Sequence, residues 1–341
     1  MQPFQFARSD DARSAISIYE SSLQDASDPV NSTAQYLAGG TTLLDLMKLG
    51  VMRPDRIIDI NDLEHTRIGQ IEFDGEGLRL GAMSRMATAA DHPDIRRNFP
   101  VVSQSLQLAA SAQIRNMASL GGNVLQRTRC TYFRDVSYEN CNKRKPGSGC
   151  AALEGFNRSH AVLGTSDQCI ATYPGDFAQA LMALDADVEV AGRQGVRTFP
   201  FEKLHRRPGQ APHLETTLAP EELIVSFYIP KSPFARRSLF LKIRDRESYE
   251  FALASAAVAL DLEGGRVREA RIALGGVATV PWRAHEAEQS LTGQQLNDAV
   301  LHTAAEAAFK GAVSHHHNAF KIELGKRTLI RALRETAAME I

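Results

Sequence analysis

Residues 37–48 read LAGGTTLLDLMK, a stretch in which two glycines and two threonines separate a strand-like apolar pattern from a helical one. Glycines allow consecutive backbone N–H groups to approach a phosphate closely, and the N-terminus of a helix adds a favourable dipole. The hydroxyls of Thr41 and Thr42 supply two further hydrogen-bond donors. The stretch therefore predicts a strand–turn–helix unit suited to phosphate.

A second stretch with paired glycines, SLGGNVL at 119–125, also lies between apolar segments and has Asn123 as a polar tip. Before it, residues 100–119 carry apolar residues at near-helical spacing, which predicts one long helix. Neither glycine stretch matches G-x-G-x-x-G or the P-loop, and a single Gly-Gly pair is more often an ordinary tight turn. Two such turns in one chain favour a dinucleotide held between them.

The overall composition is that of an ordinary globular protein, with 43% hydrophobic residues, 23% charged residues and a formal net charge of −1. That charge balance gives no reason to expect a nucleic-acid partner. No apolar run reaches the roughly 20 residues that span a bilayer, and the first residues lack the apolar region of a signal peptide. We therefore expect a chain made in the cytoplasm, with export to the periplasm on a partner subunit left open.

The four cysteines all lie in one segment, from about residue 126 to 170, which is rich in polar residues and glycine and shows weak periodicity. In a reducing compartment such a group of thiols indicates metal binding or catalysis before disulfides. Their spacing is Cys-x10-Cys-x8-Cys-x18-Cys, without the close pairs of a zinc knuckle or the ferredoxin run. The residues alone leave structural zinc and an iron–sulfur cluster equally open, with two disulfides behind both.

Four stretches of the chain together resemble the FAD-binding medium subunit of the molybdenum hydroxylases, the family of xanthine dehydrogenase and carbon monoxide dehydrogenase. They are AGGTTLLDLMK, SAQIRNMASLGGNVLQ, ATYPGDFAQALMALDADVEV and FLKIRDRESYEFALASAAVAL, in that order. The resemblance covers nearly the whole chain. It implies an α+β protein in which a two-part FAD-binding module of the vanillyl-alcohol-oxidase (PCMH) type precedes an α+β C-terminal domain like that of the carbon monoxide dehydrogenase flavoprotein.

The expected domains follow from this resemblance and from the sequence pattern. Residues 1–60 and 61–237 are expected to form the two FAD-binding subdomains, with the cysteine-rich insert at about 126–170 inside the second. From residue 238 the pattern changes to strands followed by helices, which is typical of an α+β domain and continues to residue 341.

The resemblance also implies the cofactor contacts. The first glycine stretch would cradle the FAD diphosphate and the second would line the cofactor, while Ile224 would pack on the isoalloxazine ring. Asp176 would contact FAD, Lys242 would lie near the ring, and Ala109 stands where relatives carry a larger residue that contacts FAD. The implied FAD-binding residues are Leu37, Ala38, Gly39, Gly40, Thr41, Thr42, Leu43, Leu44, Ala109, Ser119, Leu120, Gly121, Gly122, Asn123, Asp176, Ile224 and Lys242.

The cysteine-rich insert departs from most of the family. A minority, including 4-hydroxybenzoyl-CoA reductase and the periplasmic aldehyde oxidoreductases, carries such an insert with a [4Fe–4S] cluster, and TRCTYFRD and CNKRKPGSGCAALEG are similar to the latter group. The resemblance therefore favours a [4Fe–4S] cluster with four cysteine ligands: Cys130, Cys141, Cys150 and Cys169. Backbone N–H groups are expected to face the sulfurs, and five cations are expected to offset the charge: Arg127, Arg129, Lys143, Arg144 and Lys145.

The function that the resemblance implies is electron transfer. A molybdopterin-binding large subunit would oxidise an aldehyde or N-heterocycle, a small [2Fe–2S] subunit would relay electrons, and this chain would pass them from FAD to an external acceptor. Lys242 would stabilise the reduced flavin electrostatically. Two alternatives stay open on the residues: a stand-alone flavoprotein oxidase, and a non-catalytic binding module with a zinc loop.

Overall fold

The computed structural model describes residues 1–22 and 32–341, in which helices flank three β-sheets. The strands are β1 (Gln5–Arg8), β2 (Ala34–Leu37), β3 (Arg56–Asp59), β4 (Ile71–Phe73), β5 (Gly77–Gly81), β6 (Asp187–Gly192), β7 (Gly195–Pro200), β8 (Leu223–Pro230), β9 (Ser238–Ile243), β10 (Ala254–Glu263), β11 (Arg266–Gly275) and β12 (Trp282–Arg283). The α-helices are α1 (Ala12–Glu20), α2 (Leu43–Lys48), α3 (Met86–Asp91), α4 (Pro93–Asn98), α5 (Pro100–Gln107), α6 (Ala112–Met117), α7 (Leu120–Val124), α8 (Thr131–Arg134), α9 (Phe177–Ala183), α10 (His285–Leu291), α11 (Asp298–Ala308) and α12 (Phe320–Ala337).

The first sheet is parallel, with strand order β1–β3–β2. Its strands all end at the same edge, and the carboxyl edge of a parallel sheet is where ligands bind in α/β units. The predicted strand–turn–helix unit is confirmed here: β2 leads through Gly39 and Gly40 into α2. Gly40 has φ +72°, a left-handed conformation that glycine adopts without strain.

The second sheet is antiparallel, with order β4–β5–β8–β6–β7, and its inner face packs on α5 and α9 to form the largest core. In β8 the pairing slips between Ser226, opposite Glu189, and Ile224, opposite Val190, so one residue is extra. Because of this β-bulge, the side chains of Ile224 and Phe227 both belong to the main core. Strict alternation would place these two side chains on opposite faces of the sheet.

The third sheet, β12–β11–β10–β9, is antiparallel and carries α10, α11 and α12 on one face. This confirms the predicted order of strands followed by helices. Gly264 and Gly265 form the turn between β10 and β11 with φ of +56° and +81°, as a two-residue hairpin requires. The boundaries expected after residues 60 and 237 stay predictions. Among the described residues, no helix is both long and apolar enough to cross a bilayer.

Two local predictions were wrong. The single long helix expected over 100–119 is broken into α5 and α6, with Ala110 in a left-handed conformation at φ +50°. Ser111 accepts a hydrogen bond from the N–H of Ile114 at 3.3 Å and starts a new helix, because a serine cap competes with helix continuation. The second Gly-Gly pair does not form a turn but lies inside the short helix α7.

The segment from 126 to 170, here called the cysteine loop, is fastened to the start of the last helix by buried polar side chains. Lys321 is fully buried, and its Nζ donates to the carbonyls of Ser159 at 3.0 Å and His160 at 3.1 Å. Asn318 donates from Nδ2 to the carbonyl of Ala161 at 3.1 Å. Burial lowers the pKa of Lys321 to about 7.

This pKa predicts how stability changes with pH. In the unfolded chain, Lys321 keeps its proton up to a pH of about 10.4, whereas the folded protein loses it above about pH 7. Because the unfolded state then binds more protons than the folded state, the free energy of unfolding rises with pH in this range. Relative to Lys321→Met, we expect the wild type to gain about 2 kcal/mol of unfolding free energy between about pH 7 and about pH 9. Denaturant titrations at both pH values measure it. A pH-independent difference contradicts the expectation, and Lys310→Met, at an exposed lysine, is the control.

Candidate functional site

A cleft of about 270 Å³ lies at the carboxyl edge of the parallel sheet. It is lined by part of both glycine stretches, by the β8 residue Ile224 and by a segment that precedes β8. The residues expected from the sequence that line it are Ala38, Gly39, Gly40, Thr41, Thr42, Leu43, Ser119, Gly121, Gly122 and Ile224. The structure therefore brings residues far apart in the chain to one concave surface.

The first glycine stretch touches the backbone immediately before the second, at Met117 and Ala118. A Cβ atom at Gly39 would lie 1.9 Å from the carbonyl oxygen of Met117 and 3.2 Å from the Cα of Ala118. No side chain fits in that space, because real Cβ contacts of this kind begin beyond 3 Å. Glycine at position 39 is therefore a condition for the first stretch to reach the second.

Backbone N–H groups of the first stretch are free to bind a ligand. Within the part of the chain that the structure describes, the N–H groups of residues 39–43 have no hydrogen-bond acceptor. They lie at the start of α2, where N–H groups and the helix dipole favour an anion. Such an arrangement can hold the phosphates of a dinucleotide.

The second stretch lines the cleft through Ser119, Gly121 and Gly122, and the N–H groups of both glycines are bonded within the protein. The N–H of Gly121 donates to the carbonyl of Ala82 at 2.8 Å, and the N–H of Gly122 donates to Oγ of Ser119 at 3.2 Å. These two N–H groups are already used, so they do not form a second phosphate cradle. A Cβ at Gly121 would lie 3.1 Å from that of Ala82, which indicates close packing as the reason for glycine.

Two polar residues that the sequence did not single out hold the glycine stretches in place. Asn61 donates from Nδ2 to the carbonyl of Ala38 at 3.0 Å, and Arg85 donates to the carbonyl of Met117 and to Asn61. Arg85 also pairs with Glu64. The position of Asn61, just after a buried strand of a parallel sheet, is the one sequence signal that could have indicated it.

Seven expected FAD-binding residues do not line this cleft, and three of them lie together elsewhere: Ala109, Asp176 and Lys242. Lys242 and Asp176 are bonded to each other, with 2.6 Å between Nζ and Oδ2 and with side chains that are 1% and 4% exposed. Burial raises the pKa of Asp176, although the positive charge of Lys242 opposes that rise. Nζ of Lys242 also donates to the carbonyl of Leu108, next to Ala109, at 3.1 Å. These residues thus form a second group, at the break between α5 and α6.

Leu37, Leu44, Leu120 and Asn123 flank the lining residues without lining the cleft. Leu37 packs beside α2, Leu120 is fully buried in the main core, and Leu44 is 37% exposed. Asn123 donates from Nδ2 to Sδ of Met86 at 3.4 Å. These four residues lie next to the lining residues of the glycine stretches, outside the cleft.

An ion network that sequence reasoning missed forms one wall of the cleft. Glu215 lines the cleft beside Arg127, forms an ion pair with it, and lies 2.6 Å from Nζ of the buried Lys143. Burial would raise the pKa of Glu215, but the positive charges of Arg127 and Lys143 hold it below its usual range. The carboxylate is therefore charged and held between two cations.

The four cysteines are free thiols and line one small cavity inside the cysteine loop. Cys141 and Cys150 are brought opposite each other by a backbone bridge, so the turn between them closes as a hairpin. Among the described residues, however, no group of three or more His, Cys, Asp or Glu side chains is arranged to hold a metal ion. The structure thus gathers the thiols without presenting a finished metal site.

Hydrogen-bond donor groups lie beside the thiols of Cys130 and Cys169. The N–H of Ala171 donates to Sγ of Cys169 at 3.4 Å, and the N–H groups of Tyr132 and Phe133 face Cys130. Nε2 of the buried His160 lies 3.2 Å from Sγ of Cys130. Hydrogen bonds of this kind stabilise negatively charged sulfur.

Burial and mutual contact set the protonation of the thiols. Burial raises the pKa of Cys130 to about 12 and also raises that of Cys141. A hydrogen bond between Cys150 and Cys169 lowers the pKa of Cys150 to about 7 and raises that of Cys169. A metal that binds here must displace protons from most of these thiols.

Most of the expected cations of the loop already have partners. Arg129 lies 3.4 Å from Asp45 of α2, and Arg144 donates to the carbonyls of Tyr132 at 2.7 Å and Phe133 at 2.8 Å. Arg127 and Lys143 bind Glu215, and Lys145 is exposed. The cations therefore fasten the loop, whatever they contribute to the charge at the thiols.

Two family profiles match the chain. Residues 2–232 match the FAD binding domain in molybdopterin dehydrogenase, and residues 240–336 match the CO dehydrogenase flavoprotein C-terminal domain. Together they cover most of the described structure, including both glycine stretches and all four cysteines.

Known relatives are similar over almost their whole length. The aldehyde oxidoreductase FAD-binding subunit PaoB of Escherichia coli K12 is 46% identical over 307 residues, which cover 89% of this chain and 92% of the relative. The nicotine 6-hydroxylase medium subunit of Paenarthrobacter nicotinovorans is 26% identical and covers 91% and 94%. A carbon monoxide dehydrogenase structure from Hydrogenophaga pseudoflava superposes with a TM-score of 0.75 at 23% identity, covering 99% and 98%, which shows the same fold.

Gly39→Ala tests the close approach of the two glycine stretches. The added methyl group would overlap the Met117 carbonyl, so the backbone must shift at a cost of about 1–3 kcal/mol, and the free N–H groups move with it. We expect FAD affinity to fall at least about tenfold, measured by fluorescence titration of FAD-depleted protein. Gly75→Asn, in an exposed turn with no atom near a Cβ, is the control and should bind FAD normally. Unchanged affinity of Gly39→Ala contradicts the account.

Proposed function

The chain belongs to the family of FAD-binding medium subunits of the xanthine dehydrogenase and carbon monoxide dehydrogenase type, and on that premise we propose its place in a complex. It is the FAD- and [4Fe–4S]-binding electron-transfer subunit of a three-subunit molybdenum-dependent oxidoreductase. Its partners are a molybdopterin-binding large subunit and a [2Fe–2S] small subunit. The observation that carries the proposal is the cleft in which the glycine stretches meet beside free N–H groups.

In this proposal the cleft holds FAD through the first glycine stretch. The N–H groups of residues 39–43 donate to the diphosphate, and the dipole of α2 favours its negative charge. Ile224, turned inward by the bulge in β8, supplies an apolar contact from the opposite wall. Bound FAD supplies the two-electron to one-electron conversion, and the chain positions it and limits access of water.

Asp176 and Lys242 act together in this proposal, since the structure pairs them. Their ion pair keeps a positive ammonium group fixed at the break between α5 and α6, and we propose that the flavin ring reaches this group. The fixed charge of Lys242 favours negative charge on the cofactor. Lys242→Met should lower the flavin midpoint potential in a redox titration followed by absorbance, and an unchanged potential contradicts this role.

The cysteine loop holds the [4Fe–4S] cluster in this proposal. The four thiols match the four ligand positions of such a cluster, line one cavity and face backbone N–H groups. When bound, the cluster supplies a one-electron centre. The fold of the loop is consistent with a cluster that each cysteine reaches from a separate turn.

The substrate class we propose is an aldehyde or an N-heterocycle, oxidised on the large subunit. The support for an aldehyde is the 46% identity with a subunit named for aldehyde oxidoreductase activity. The electrons leave this chain for an external acceptor. The alternative of a stand-alone flavoprotein oxidase predicts a chain that purifies alone and reacts with substrate by itself.

Co-purification with cofactor analysis tests the proposal. Anaerobic isolation of the full chain with its partners should give about one FAD per chain of this subunit and about four iron atoms beyond those of the [2Fe–2S] subunit, with a broad absorbance shoulder near about 400 nm. Cys150→Ser should lose the iron of this subunit, while Lys145→Met, at an exposed lysine in the same loop, should keep it. Zinc without iron contradicts the cluster, and a fully active chain without partners contradicts the complex.

A further inference from the structure

The cysteine loop contacts the cleft wall that carries the first glycine stretch. Asp45 of α2 is held by two arginines of the loop, with Arg129 at 3.4 Å and Arg134 at 2.8 Å. Phe133 of the loop is fully buried against Leu46 and its neighbours in α2. The helix whose N-terminus offers free N–H groups is therefore packed directly on the loop.

The same loop also contacts the opposite wall. Nζ of Lys143 lies 2.6 Å from the Glu215 carboxylate and donates to the carbonyl of Pro212 at 3.1 Å. Glu215 lines the cleft, whereas Lys143 lines the cavity that contains the four thiols. Glu215 and Lys143 thus form one direct contact between the two sites.

The charges make this contact difficult to break. Glu215 accepts from Lys143 and pairs with Arg127, so one carboxylate is the shared partner of two cations that are largely buried. Without the carboxylate, the ammonium group of Lys143 would be buried without its charge partner, which is strongly unfavourable. The loop segment around Lys143 and the cleft wall around Glu215 must therefore move together.

We propose that Glu215 is a positioning residue through which metal loading of the cysteine loop and FAD binding favour each other. This inference rests on the proposed function. A metal held by the four thiols fixes the position of Lys143, two residues after Cys141, and with it the wall at Glu215. By thermodynamic reciprocity, FAD bound in the cleft then retards metal loss by the same factor by which the metal strengthens FAD binding.

The test compares two glutamates of the same wall. Glu222 also lines the cleft but pairs with Arg197 of β7 at 2.7 Å instead of with the cysteine loop. FAD dissociation constants are measured by fluorescence titration for iron-loaded protein and for protein treated with an iron chelator. The wild type should bind FAD at least about 5-fold more tightly when loaded. In Glu215→Gln, the ratio of the FAD dissociation constants of chelator-treated and iron-loaded protein should be near one. Glu222→Gln should keep the wild-type value of this ratio even where its FAD affinity changes.

The reverse measurement uses the same proteins. The rate at which the chelator removes iron should fall on addition of FAD in the wild type and in Glu222→Gln, but not in Glu215→Gln. If Glu215→Gln does not fold, Lys143→Met removes the same contact from the loop side and leaves the Arg127–Glu215 pair intact.

The outcomes separate the inference from the function on which it rests. If the wild type binds FAD equally tightly with and without iron, the coupling is overturned although iron and FAD are still present. The coupling is also overturned if Glu215→Gln or Lys143→Met shows the same ratio of FAD dissociation constants as the wild type. A wild-type protein that binds FAD but never contains iron overturns the proposed cluster, and the coupling with it.

Discussion

The contact between Gly39 and the Met117 backbone is the constraint on which the cleft depends. Since a Cβ at position 39 would lie 1.9 Å from the Met117 carbonyl, only glycine lets the carboxyl end of the parallel sheet reach the second glycine stretch. Asn61 and Arg85 bind carbonyls on both sides of this contact and keep the backbones together. Among the described residues, the N–H groups of 39–43 at the start of α2 have no acceptor, and these residues line the cleft.

The cysteine loop braces the site from three directions. It packs on α2 through Asp45, on the opposite cleft wall through Glu215, and on the last helix through Lys321. Ion pairs and buried hydrogen bonds supply these contacts, which is how a segment with little regular structure keeps a defined position. The cysteine loop therefore contacts the walls of the cleft as well as carrying the thiols.

Local patterns in the sequence predicted the strand–turn–helix unit at 37–48 and the strands followed by helices after residue 238. They failed where neighbours in space decide the structure. Ala110 breaks a helix that periodicity would continue, because its left-handed conformation lets Ser111 cap a new one. Ile224 faces the core only because of a bulge set by pairing with β6, and Glu215 acquires its role from cations distant in the chain. The partners of Ile224 and Glu215 lie far away in the chain, so local patterns do not show them.

X-ray diffraction from FAD-loaded, anaerobically prepared protein, with data on both sides of the iron absorption edge, tests the central claim most directly. We predict one anomalous iron feature enclosed by Cys130, Cys141, Cys150 and Cys169, together with the FAD diphosphate at the N–H groups of residues 39–43. A diphosphate bound elsewhere, or four thiols that enclose zinc or no metal, would contradict it.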